Sequence, residues 1–173
     1  MDVTIKESKF IDAFEISNIA KDTFDLACPK ESDVSELKAY CEKNLNPANF
    51  EKLICAHNSY VAHALINKEK AGFVVLIFDS TCPDFSNLKK PVELQKFYVQ
   101  SNFHGKEVAQ KLMMDAIRKC EKLGYKNIWL SVYSGNKRAI DFYSKFGFVF
   151  VGYTNFIMGS ETHLDKLMIT KIA

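Results

Sequence analysis

The stretch Val92–Ala116, VELQKFYVQSNFHGKEVAQKLMMDA, constrains this chain more than any other. Val92 to Val99 is rich in β-branched, aromatic and aliphatic residues and reads as a strand. Gln100 to Lys106 is a polar turn with one glycine. From Glu107 onward, Val108, Leu112, Ala116, Cys120 and Leu123 recur at helical spacing and predict an amphipathic helix of about four to five turns. A strand that passes through a short loop into a helix aims free backbone N–H groups and the positive end of a helix dipole at one spot. Such a spot suits a phosphate.

The flanking sequence supplies the rest of a layered fold. Val3 to Ile5 alternates as an edge strand would. Phe10 to Cys28 carries Phe10, Phe14, Ile16, Ile19, Phe24 and Leu26 at mostly helical spacing and stops before Pro29. A second helix starts after Ser32 or Asp33, either of which can cap it, and Pro47 fits the first turn of a third, Ala48 to Cys55. From Ser59 the period changes. Tyr60 to Ile66 and Phe73 to Phe78 read as strands joined by Asn67–Lys70, and the continuously apolar GFVVLIF predicts a central position. Ser80 to Pro91 is the longest loop. Asn127 to Tyr133 is a further strand, Gly135–Asn136 opens a last helix that Gly147 terminates, and Phe148–Phe156 and Leu167–Ile172 close the chain as strands. The expected architecture is one α/β domain over residues 1–173, with a mixed sheet of six to seven strands and helices on both faces.

Composition removes several classes of function. A net charge of +2 with 25% charged residues does not describe a nucleic-acid arm, so no nucleic-acid partner is expected. The N-terminus has neither an apolar signal core nor an arginine-rich transit pattern, and no window approaches the roughly 18 apolar residues of a membrane span. The expectation is a cytoplasmic protein with no membrane partner. Five cysteines, scattered and without a C-x-x-C pair, predict reduced thiols, and the four histidines lack metal-ligand spacing, so no metal is expected. A homodimer stays open.

Two motifs carry a resemblance. Tyr98-Val99 followed by Phe103-His104-Gly105-Lys106-Glu107-Val108-Ala109 resembles the acyl-CoA loop of the GNAT N-acetyltransferases, whose pattern is glutamine or arginine, two residues, glycine, one residue, then glycine or alanine. Here His104 stands for the glutamine or arginine and Glu107 for the glycine. Asn136 through Phe148, NKRAIDFYSKFGF, is similar to the family's second motif at every defining position: Asn136, Ala139, Tyr143, Gly147 and Phe148. Thr23-Phe24, the Tyr40 region, Phe156–Gly159 and Asp165–Met168 resemble the bacterial polyamine acetyltransferase branch.

The resemblance implies the GNAT fold with a splayed central strand pair, a single N-acetyltransferase domain, and acetyl-CoA as co-substrate. It implies a pantetheine arm paired with the backbone of Phe97 and Val99, a pyrophosphate on the loop from His104 through Gly105, Lys106, Glu107, Val108 and Ala109, and an amide contact from Asn136. Tyr143 would be the general acid that protonates the departing thiolate, although its helical spacing equally suits a core aromatic. Glu93, six residues before Val99 on the same strand, would be the general base, or else a solvated strand end. Asn136 can bind pantetheine, cap its helix, or both. Lys137 and Arg138 face phosphates or form a solvated helix start. Glu107 is expected in the first helical turn, pointing to solvent and complementing the dipole or reaching back as a cap. His163 beside Asp165 looks like half of a dyad, but no nucleophile joins it and the segment reads as a loop.

The acceptor implied is a small cationic amine such as a polyamine, with Asp25, Glu31, Asp33, Asp79 and Asp84 available to line an acidic pocket. A protein or peptide amine, or a non-catalytic acyl-CoA-binding module, are the competing readings.

Overall fold

The computed structural model describes residues 2–172. Seven strands form one sheet in the order β1-β2-β3-β4-β5-β7-β6: β1 Val3–Glu7, β2 Ser59–Ile66, β3 Glu69–Phe78, β4 Pro91–Val99, β5 Asn127–Tyr133, β6 Val149–Met158 and β7 Glu161–Lys171. Every pairing is antiparallel except β4 with β5. Helices cover both faces: α1 Ala13–Thr23, α2 Val34–Asn44 and α3 Pro47–Cys55 on one, α4 Val108–Lys122 and α5 Lys137–Lys145 on the other. This is the mixed α/β architecture expected.

The apolar run of β3 explains why the sheet can be covered twice. Val74, Leu76 and Phe78 enter the core under α4, while Phe73 and Val75 enter the core under α1 and α3. A strand with alternating side chains that are apolar on both faces is stable only with a layer on each side. At Gly72 a Cβ atom would lie 2.5 Å from the Tyr98 carbonyl oxygen, so only glycine lets β3 approach β4 there.

Local chemistry sets the ends of the elements. Asp33, not Ser32, caps α2, its carboxylate accepting from the N–H groups of Ser35 and Glu36; Asn46 caps α3, with Pro47 in the first turn. Asn67 and Lys68 both take positive φ, 50° and 70°, and make a two-residue hairpin turn, so β3 begins at Glu69 rather than Phe73.

The first helix is shorter than its apolar periodicity. One 3₁₀ turn, Phe10–Asp12, precedes α1, and another, Phe24–Ala27, follows it. Pro29 holds Cys28 extended and ends the segment. The second turn sets Phe24, Ala27 and Cys28 against the mouth of the cleft described below. No helix among the described residues is long and apolar enough to cross a membrane.

Candidate functional site

The site begins where two parallel strands part. β4 and β5 stay in register only at Pro91–Asn127, Val92–Ile128 and Glu93–Trp129. Just beyond, the β3–β4 register slips: Leu76 faces Leu94 and Val75 faces Lys96, leaving Gln95 as the extra residue of a β-bulge. A bulge bends its strand and raises the local twist, which swings the rest of β4 away from β5. The Gln100 N–H donates to the Ala71 carbonyl of the β3 strand at 2.9 Å, so the alternate residues Phe97 and Val99 turn their amide groups toward the gap. The gap opens into a cavity of about 700 Å³ that reaches both faces of the sheet.

On the α4 face the cavity ends at a helix N-terminus. Ser101–Phe103 form a 3₁₀ turn pinned by the buried Phe103, and Gly105 and Glu107 adopt positive φ of 76° and 61°. Those conformations turn the chain so that the first-turn amides of Val108, Ala109 and Gln110, which have no intrahelical acceptor, open toward the cavity. Val108 is buried and holds the turn in place. Glu107 is exposed as expected, but it is the N-cap rather than a first-turn residue, and its side chain makes no capping bond. The first-turn placement is thus corrected, and of the two roles open to it capping is not the one it takes. Lys106 sits over the Phe103 ring at 5.1 Å, beside the cavity wall.

α5 closes the same side. The Asn136 side chain accepts from the Ala139 N–H at 3.2 Å and caps the helix. Lys137 pairs with Asp141 at 2.8 Å on the solvent side, whereas Arg138 reaches back to donate to His104 Nδ1 at 2.6 Å. His104 Nε2 lies 2.9 Å from the Val99 carbonyl oxygen, which can only accept, so Nε2 carries the proton and Nδ1 accepts from the guanidinium. His104 therefore ties the end of β4 to the start of α5 across the cavity mouth.

Tyr143 lies deeper, its ring edge-on to Phe97 at 6.2 Å and tilted against Phe148 at 5.8 Å. Burial alone pushes its phenol well above the ordinary value, and no described residue hydrogen-bonds its hydroxyl. A neutral phenol facing a cavity at the open edge of β4 is placed to donate a proton there.

The α1–α2 face is lined differently. Phe24 and Tyr40 stack at 4.6 Å, Phe156 stands edge-on to Tyr40 at 5.3 Å, and Tyr98, on the opposite side of β4 from Phe97, packs on Phe73. His163 and Asp165 line this chamber too. Both belong to β7, not to a loop. The apolar pattern predicts the strand only from Leu167, because His163 and Asp165 are polar where a core strand would be apolar, and these two side chains face the cavity. Alternation continuing back from Leu167 through Asp165 to His163 was the available signal.

Glu93 is not brought to the cavity wall. It sits where β4 and β5 are still paired, accepts from the Ser80 hydroxyl at 2.9 Å, and has its carboxyl raised by burial, with Ser80 and Lys96 opposing. Of the five acidic residues expected to converge, none lines the cavity. Asp33 is spent on its helix cap, Asp79 accepts from the Tyr125 hydroxyl at 2.9 Å, Asp84 lies in the 79–90 loop, Glu31 is in the exposed turn before α2, and Asp25 flanks the mouth between the lining residues Phe24 and Leu26. Among the described residues no group of three or more His, Cys, Asp or Glu side chains is arranged to hold a metal ion.

Comparison with known proteins agrees with this geometry. A sequence model of the acetyltransferase (GNAT) family matches residues 17–148. An uncharacterized N-acetyltransferase of Mycobacterium tuberculosis is 28% identical over 161 residues, covering 93% of this chain and 98% of that one. A probable spermine N(1)-acetyltransferase of Bacillus subtilis subsp. natto is 32% identical over 74 residues, 42% of this chain and 49% of that one. Among solved structures, the PaiA N-acetyltransferase of Thermoplasma acidophilum, in complex with coenzyme A, superposes with a TM-score of 0.82 at 17% identity over 99% of each chain.

Proposed function

The chain belongs to the GNAT family of acetyltransferases, and on that footing we propose that it transfers the acetyl group of acetyl-CoA to the primary amine of a small cationic acceptor, a polyamine among them, by direct attack in a ternary complex. One observation carries the reading: the cavity crosses the sheet at the splay, with an anion-binding helix start and Tyr143 on one side and a separate chamber on the other. Two substrates can enter from opposite faces and meet at Phe97–Val99. The partial match to a probable spermine acetyltransferase supports a cationic acceptor.

Each step falls to a group of the cleft. The amides of Val108, Ala109 and Gln110 hold the pyrophosphate, and the open edge of β4 at Phe97 and Val99 pairs with the pantetheine arm. A β4 N–H polarises the thioester carbonyl, the neutral amine attacks it, Tyr143 gives its proton to the sulfur as the C–S bond breaks, and the proton shed by the new amide nitrogen restores the phenol through solvent in the cleft. Alignment of the two reactants supplies up to ~7–11 kcal/mol of the barrier, so few charged groups are needed.

Thermal shift with acetyl-CoA, followed by thiol release across a panel of amines, tests the whole. Stabilisation by acetyl-CoA and turnover on spermidine are expected. Turnover on peptides alone would replace the acceptor class, binding without turnover would make the chain an acyl-CoA-binding module, and absence of binding would overturn the account. Because Glu93 lies outside the cavity, Glu93→Gln is expected to change kcat by less than about threefold at both neutral and high pH.

A further inference from the structure

The α1–α2 chamber holds a group that the acetyl-transfer step does not use. Asp165 is 7% exposed, yet no lysine or arginine among the described residues pairs with it. Its carboxyl is pushed up to about 6 by burial, and the only groups that pull it back are His163 and the Ser131 hydroxyl. A carboxylate kept in a cavity wall without a cation is costly unless a ligand brings one.

The surroundings favour a cation. Phe24, Tyr40 and Phe156 present ring surfaces that attract alkylammonium groups and cover methylene chains. Cys28, in the same wall, is pushed up to about 12 by burial and by Cys41, with the carboxylates of Asp165, Asp25 and Glu161 adding to it, which marks this end of the cavity as acidic. The one lysine facing the chamber from β4 is Lys96. Burial lowers its pKa, with the charge of Glu93 opposing.

Position decides which nitrogen Asp165 serves. Asp165 is the register partner of Tyr133, and continuing the parallel register from Glu93–Trp129 puts Tyr133 at about the level of Phe97. Asp165 thus stands two strands over from the reacting edge of β4, more than roughly 10 Å away because the splay widens the first of the two spacings. That is too far for the nitrogen that attacks the thioester and suitable for a second one along the chain.

Resting on the acetyltransferase reading above, we propose that this chamber is a diamine subsite, in which Asp165 holds the second ammonium of an alkyl di- or polyamine and the rings of Phe24, Tyr40 and Phe156 enclose the methylenes between. The test compares 1,4-diaminobutane with n-butylamine, which offers the same nucleophile without the second cation. Wild type is expected to show a KM at least about fivefold lower for the diamine, and Asp165→Asn to erase that preference, with partial return in Asp165→Glu. A preference that survives Asp165→Asn, or no preference in wild type, overturns the subsite. Should no amine be turned over, the catalytic reading fails, but the subsite is still decided by calorimetry of 1,4-diaminobutane with the CoA-bound protein. Binding lost in Asp165→Asn supports it; equal binding in both, or none to wild type, refutes it. Thermal melts of each variant confirm that folding is intact.

Discussion

Tyr143→Phe is expected to lower kcat by about a hundredfold to ten-thousandfold, the range for removal of a general acid, while the Kd for acetyl-CoA moves by less than about threefold. The substitution isolates the hydroxyl. The ring contacts to Phe97, Phe142 and Phe148 survive it, and since no described residue bonds the hydroxyl, folding loses nothing specific. The melting temperature should therefore hold. If Tyr143 were only a core aromatic, phenylalanine would serve equally well and kcat would not change. The pH profile gives a second check. Burial raises the folded pKa above the ordinary value near 10, so Tyr143 stays protonated through the alkaline range, and the wild-type rate should show no fall below about pH 10 that disappears in the variant. An unchanged kcat on a verified acceptor would remove Tyr143 from the reaction.

The parts of the fold that could be read in advance are those where one physical requirement dominates. GFVVLIF is apolar at every position because β3 is covered on both faces, and α5 announces itself because a cap, an apolar face and a glycine stop lie in a short run. The chamber on the α1–α2 face could not be read so directly. Asp165 and His163 interrupt the apolar pattern of β7, and a polar residue in a strand reads as surface until the third dimension shows a cavity beside it. Glu93 lies away from the cavity wall for a different reason. The position six residues before Val99 comes from the resemblance, and here it falls where β4 and β5 are still paired, before the bulge at Gln95 from which the splay opens. The acidic residues of the first third were available by composition alone, and helix capping and a tyrosine contact took two of them.

Glu107→Gly is expected to tighten acetyl-CoA binding roughly tenfold and to raise stability slightly, and two separable causes add to give this. The first is backbone strain. Glu107 has φ 61° and ψ 4°, a left-handed conformation that costs an L residue with a side chain about 1–2 kcal/mol and costs glycine almost nothing. Glycine also gives the unfolded chain more freedom, worth about 0.5–1 kcal/mol against folding, so the net gain is on the order of 0.5–1 kcal/mol. The second is charge, since a carboxylate beside the amides of Val108 and Ala109 repels the anion those amides would hold. Glu107→Ala separates the two, because it removes the charge and keeps the strained φ. Alanine should recover most of the affinity and none of the stability, and the part due to charge should fade as salt shortens the screening length toward about 3 Å at 1 M. Weaker acetyl-CoA binding in Glu107→Gly would mean that the glutamate itself contacts the ligand, with the exposed side chain folding in when the cleft is filled, and the anion site would then have to be redrawn around a carboxylate rather than around the helix start alone.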